Sequence, residues 1–422
     1  MNYFNYFKFA TLLLASFMLF SCSTNDNDEV EPDDEILPPI ELSCDFFNED
    51  QTLEDDPQRP VDYLIDCTVL LESNLEIEPG TVISFGQGAG IIVQADGSLN
   101  ASGTKSDTIV FTATTPQNGW WGGLEFRSNN NNKISYAIVE YAGATTGPGG
   151  VGGLGDVGYG AVLVYASASL DLTNSVIKNS IDVGLSIAPR GSSGESHQPL
   201  IDAIHLSGNT YTANAAPVRI PFYIVGNLDP NDDYSGNEND RVMIRRGNIE
   251  KAVVTMNALN VPYLALGNLD IHRGTENSKS QLIIQPGVEL EMGSDLGISV
   301  LDGPNYLTAQ GTAQEPIHIR GENPTPGFWG QIHLNHSEPN ALSVNILEHV
   351  NISHGSAGDA SDLWNGVVSL NLSHTLIMVM MDVHFAEYNG TSCPVGGTGD
   401  WNRLEFSNLT DDLNRLPACI GD

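Results

Sequence analysis

Hydrophobic positions along the chain fall into three regimes. Residues 9–20 form one uninterrupted apolar run, preceded by a single charge at Lys8. Residues 23–66 are dominated by acids, prolines and asparagines. Beyond them the apolar residues come in clusters of three to five, such as Ile91-Ile92-Val93 and Ile109-Val110-Phe111, rich in Val, Ile, Thr and aromatics. Gly, Asn, Asp or Pro breaks each cluster. No segment after the first 21 residues sustains a 3.6-residue apolar period, so the pattern predicts an all-β chain of very short strands.

The clusters repeat in order. Ile77-Glu-Pro-Gly80 returns as Ile284-Gln-Pro-Gly287, Gly103-Thr104 as Gly311-Thr312, and Gly119-Trp-Trp-Gly122 as Gly327-Phe-Trp-Gly330. The offsets are 207, 208 and 208 residues, which predicts two related halves. A sandwich, a propeller and a parallel solenoid all accommodate short strands. Three features favour the solenoid: the strand length, the 15–25 residue spacing of the units, and Asn near the breaks. The relevant residues are Asn129 to Asn132, Asn174, Asn179, Asn345, Asn351 and Asn371. Asn tolerates the left-handed backbone of a tight corner, and its amide can stack on the next coil.

The ordered pattern I-x-P-G-T, G-x-L-x-A-x-G-T, a strand ending in F-T, and G-x-W-G-G resembles the right-handed parallel β-helix lipoproteins of Bacteroidota, within the pectin-lyase-like superfamily. The resemblance covers about residues 62–390 and implies a fold and a location; most members have no assigned activity. It gives this expected organisation: signal peptide 1–21, acidic tether 22–60, first β-helix half 61–226, inter-half loop and linking coils 227–270, second half 271–390 and C-terminal cap 391–422.

The first apolar run has 12 residues, short of the roughly 20 that span a bilayer as a helix. It ends in Leu19-Phe20-Ser21-Cys22, which resembles a lipobox and marks Cys22 as the lipidated residue of a signal peptide. Of the chain's 53 acids, 16 lie in residues 23–66, where self-repulsion favours an extended tether. Acids soon after a lipidated Cys resemble the export signal for the outer face of the outer membrane. The remaining cysteines are Cys44, Cys67, Cys393 and Cys419. They allow three pairings, of which the local ones, Cys44 with Cys67 and Cys393 with Cys419, are simplest and would close the two ends in an oxidising compartment. No CxxC spacing suggests zinc.

Net charge changes the functional picture more than the fold. With 17 Lys and Arg against 53 Asp and Glu the chain carries −36, which argues against nucleic acid as a partner. Arg219, Arg241, Arg245 and Arg246 cluster before the second half, beside acids that suit ion pairing. The Asp and Gly-His-Gly motifs of inverting hydrolases of this fold are missing in order; Ser353-His354-Gly355 aligns with Tyr141-Ala142-Gly143 and reads as a corner. We therefore expect no catalytic residue. His333, His336, His349 and His354 share one stretch. Asp229, Asn231, Asp233 and Asp240 fall at positions 1, 3, 5 and 12 of a Ca²⁺ loop, although Gly236 comes late and Asp240 is shorter than the usual Glu. Ca²⁺ is thus the one candidate cofactor, against a plain polar loop. Trp121 and Trp329 are repeat equivalents suited to packing, whereas Trp120, Trp364 and Trp401 could stack on sugar rings. Gly147–Gly155 reads as a protruding loop. The expected function is a lipid-anchored surface module binding polysaccharide or an outer-membrane protein partner, with a polysaccharide lyase or glycoside hydrolase as the alternative.

Overall fold

In the computed structural model the described residues are 36–144, 159–190, 194–301, 303–335, 343–356, 365–372 and 376–420. The expected signal peptide, Cys22, Trp364, His336 and residues 147–155 lie outside them. Among the described residues 48% are strand and 5% helix, and every ladder between their strands is parallel. Parallel ladders between strands only three to five residues long require each strand to hand over to a different sheet before the chain returns to its neighbour. The chain does this in a fixed order. Val82–Phe85 lies in a first sheet, Gly90–Val93 in a second and Ser98–Ser102 in a third; Ile109–Ala113 then pairs with Val82–Phe85. Between the sheets, columns of registered side chains fill the interior, as in Ile77, Ala101, Ile134, Leu172 and Leu206. The architecture is that of stacked parallel sheets, compatible with a β-helix-like solenoid, and no sheet closes on itself.

Corner residues explain why the strands stop. Tyr136, Asn174 and Gly208 at one corner, and Tyr141, Asn179, Ala213 and Gly236 at the next, all take positive φ. Buried Asn132 and Asn345 accept the backbone N–H of Leu99 and Leu307 on the preceding coil. Asn209 and Asn214 do the same for Ser175 and Ser180, a role their sequence context did not announce. Asn371 donates to Asn335 at 2.9 Å on the neighbouring strand; Asn345, Asn351 and Asn371 all lie within strands rather than at the breaks expected of them.

The matched motifs keep matched geometry. Gly80 and Gly287 have φ of 92° and 77°, and Gly119 and Gly327 of 72° and 77°. Trp121 and Trp329 are fully buried and donate their indole N–H to Glu140 O at 2.8 Å and Ser353 O at 2.7 Å.

One feature follows no local pattern. The first sheet, of seven strands, ends at Thr210–Thr212, and the third, of six, ends at Ile204–Ser207. Only the second continues, Ala216–Pro221 pairing with Val242–Arg245. Where the other ladders would resume, the 3-10 segment Phe222–Asn227 buries Phe222, Tyr223, Ile224 and Val225, and Asn227 donates to Ile201 O and Ile204 O. After this seam the motif counterparts of first-sheet strands, Glu289–Met292 and Ile317–Gly321, stack on the second sheet. The counterparts of second-sheet strands, Ile298–Leu301 and Ile332–Asn335, lie in a fourth sheet running from Gly247–Glu250 to Val395–Gly399. The second motif set is offset by one face.

Two expected boundaries shift. The tether was expected to reach residue 60, yet Ile40–Leu42 pairs with Tyr63–Ile65 and Gln51–Leu53 with Leu75–Ile77. Phe47 and Leu53 are buried, so apolar anchoring overrides the local excess of acids. The expected inter-half segment 227–270 contains the regular strands Val242–Arg245, Gly247–Glu250, Val253–Met256 and Tyr263–Ala265; only about its first dozen residues are irregular. Both local disulfides are formed, Cys44–Cys67 and Cys393–Cys419.

Candidate functional site: the continuous face

The second sheet carries its outward side chains in one registered column: Leu70, Ile92, Glu125, Leu163, Ser186, Arg219, Met243, Leu264, Glu291 and Arg320. Outward positions of a sheet are ordinarily wet. Here Glu125 and Ser186 are 0% exposed, Leu163 1%, Leu264 3% and Glu291 6%. Ile92, Leu163 and Leu264 are buried without joining the interior core cluster. The middle of this face, apolar at Ile92, Leu163 and Leu264, is thus covered by neighbouring side chains rather than open to water.

Planar polar pairs line it. Arg127 bonds the Glu125 carboxylate through Nε and lies over the Tyr165 ring, 5.1 Å from its centre. Burial pushes the Glu125 carboxyl up, and Arg127 offsets only part of this; burial, with Glu125 next, also raises Tyr165. Arg219 makes a two-pronged pair with Asp182 at 2.8 and 3.0 Å. Buried Arg245 donates to Ser186 Oγ at 3.1 Å. Arg241 and Arg320 share Glu291, and Arg320 also reaches Glu289 at 2.9 Å. Of the chain's 17 basic residues these five serve one face, so Arg219, Arg241 and Arg245, expected as ion-paired surface residues, are brought into one strip. Trp120, at the corner before Gly123–Phe126, is half-buried, its indole N–H donated to Thr114 Oγ1 at 2.8 Å. Beside it Ile181 is exposed and packs on Gly119, next in chain to Asp182.

The other sequence candidates do not converge. Trp401 sits in the turn Trp401–Arg403 and packs partly buried against the core, many coils from Trp120. His349 faces Asp382 at 3.8 Å, and His354 faces Glu387 at 3.0 Å, each at a positive-φ corner. In the expected Ca²⁺ loop, Asp229 accepts from Asn231 and Ser207, Asp233 from Ser235 and Asn260, and Asp240 from Asn237. These carboxylates cap turns and tie coils together. Among the described residues no group of three or more His, Cys, Asp or Glu is arranged to hold a metal ion.

The same loop supplies what the sequence missed. Asp233 bridges to Thr210 and closes the open edge of the first sheet. Buried Asp232 accepts the Asn209 N–H at 2.8 Å, in the place that Asn237 takes beneath Asn214. Burial pushes the Asp232 carboxyl up to about 6, with the Asn209 N–H opposing and Asp229 adding to the rise. Since the folded value lies above the unfolded one, the associated stability is present below about pH 4 and lost as pH rises through about 6. Asp232→Asn is therefore expected to raise stability by about 1–2 kcal/mol at pH 8, allowing for solvent screening of the two-unit shift, and to change little at pH 4. Thermal melts at both pH values check this; an equal effect at the two would refute it.

No family model matches this chain, and no curated protein or solved structure matches it either.

Proposed function

We propose that the chain is a lipid-anchored surface protein whose continuous face binds neutral glycan chains without cleaving them. In this reading two diverged copies of one right-handed β-helix unit form a single solenoid, attached at Cys22 and facing outward from the outer membrane. The observation that carries it is the strip of guanidinium–carboxylate pairs along one sheet, with Tyr165 under Arg127 and the half-buried Trp120 on a neighbouring corner. Such pairs offer donors and acceptors in one plane with little net charge, which suits vicinal hydroxyls, and an aromatic face suits the apolar side of a sugar ring. A polyanion would meet the field of a chain carrying −36.

The test is retardation of the full chain, in detergent, on gels containing neutral plant and microbial polysaccharides. Asp182→Asn with Arg219→Gln is expected to weaken binding at least tenfold. No retardation by any of them would remove the reading. Release of new sugar ends would replace it with the lyase or hydrolase reading.

A further inference from the structure

The fourth sheet holds the counterpart of the face just described, altered in chemistry. Glu125 and His333 occupy the same place in the two motif copies, 208 residues apart. Ile92 corresponds to Ser299, and Leu163, the neighbour of Glu125, to Ser369, the neighbour of His333. Asp270, Ser299, His333 and Ser369 form one registered outward column. Shorter polar side chains thus replace the apolar ones. At this place the surface opens into a groove of about 420 Å³, bordered by Asn268, Asp295, Ser299, Gln331, His333 and Ser356. That is the volume range of a small-ligand site.

We infer that this groove is a second glycan subsite, on a different face from the first, for neutral sugar units. The inference rests on the proposed glycan reading of the continuous face. Its lining combines two amides, two hydroxyls, an imidazole and a single carboxylate. This set offers both donors and acceptors but contains no Lys or Arg to hold an anion. Asn268 accepts the Gly297 N–H through Oδ1 at 3.0 Å, which leaves its amide nitrogen oriented by the backbone. Burial lowers the His333 imidazole below its ordinary value, so near neutral pH the ring is uncharged and offers one donor and one acceptor. The one-face offset places the two on different sheets, so one chain has two separate places to grip a glycan.

Calorimetric titration of the full chain in detergent with a neutral β-1,4-linked glucose hexasaccharide and its mannose counterpart tests this. Two sites are expected for at least one probe. Ser299→Phe, which fills the groove from an outward position, is expected to remove one site and leave the other. Asp182→Asn with Arg219→Gln is expected to remove the complementary one. Should Ser299→Phe misfold, His333→Ala together with the wild-type His333 imidazole resonance gives the same discrimination, because the resonance must move on titration. A single site abolished by the Asp182/Arg219 variant but untouched at Ser299 and His333 would overturn the second subsite and leave the first reading standing. Absence of any binding would overturn both.

Discussion

Trp121→Ala and Trp329→Ala are each expected to destabilise the folded body by about 3–5 kcal/mol, the range for truncating a large buried aromatic. Both indoles are fully enclosed. Trp121 stacks on Phe85 with ring centres 4.1 Å apart and planes 5° from parallel. Each indole N–H satisfies a carbonyl at the corner one turn away, so truncation leaves both a cavity and a buried acceptor without its partner. Phenylalanine at either position should recover most of the packing but not the hydrogen bond. Denaturant titration of the four variants measures this. A loss below about 1 kcal/mol in either alanine variant would show that the site collapses without cost and that the matched geometry of the two positions has no energetic meaning.

Glu250→Ala is expected to have an effect of similar size by a different route. Glu250 is 0% exposed and stands at the seam. Its carboxylate accepts the Gly194 N–H at 2.8 Å, lies 3.2 Å from His272 Nε2 and 3.8 Å from Arg273 Nη1, and its carbonyl accepts the His197 N–H. Ser196 donates to the Lys251 carbonyl, and the His197 ring lies 4.2 Å from that of Tyr223. The segment around residues 194–197 is strapped across the seam to Glu250 and Lys251 through these contacts. Removing one partner of a buried ionic group costs about 3–5 kcal/mol, because the remaining groups keep their desolvation penalty. Glu250→Gln retains an acceptor for Gly194 and should cost less. Limited proteolysis gives the spatial readout: cleavage near residues 188–203 should accelerate in Glu250→Ala well before the rest of the chain is cut. Uniform acceleration, or none, would contradict the strap.

Much of this architecture was legible because its causes are local. Short β-branched clusters, breaks at Gly and Asn, and the spaced motifs each act within one or two coils, and the corners at Asn174 and Asn179 take the backbone their identity suggested. The local pairing of the four cysteines followed from proximity in sequence. What could not be read depends on register between distant segments. Arg127 and Arg320 belong to one strip only because nearly two hundred residues of stacked coils bring their strands into line. Nothing near Glu125 in the sequence announces that its side chain is fully covered. The Asp229–Asp240 run is ambiguous for a physical reason: carboxylates at alternate positions serve equally well to surround a cation or to cap successive turns, and here they accept from neighbouring N–H and hydroxyl groups. The offset of one face is set by how Phe222–Asn227 packs, which no periodicity encodes.

That interruption also gives the body a direction of weakness. A stack with all its ladders continuous resists bending equally about every side. Where two of the ladders stop, the packed segment in the gap resists compression, but it supplies few directional bonds against opening. The uninterrupted sheet at Ala216–Pro221 and Val242–Arg245 then acts like the spine of a book. Bending stiffness is expected to be lowest at this level, with the continuous sheet as the hinge and the Glu250 strap as its clasp.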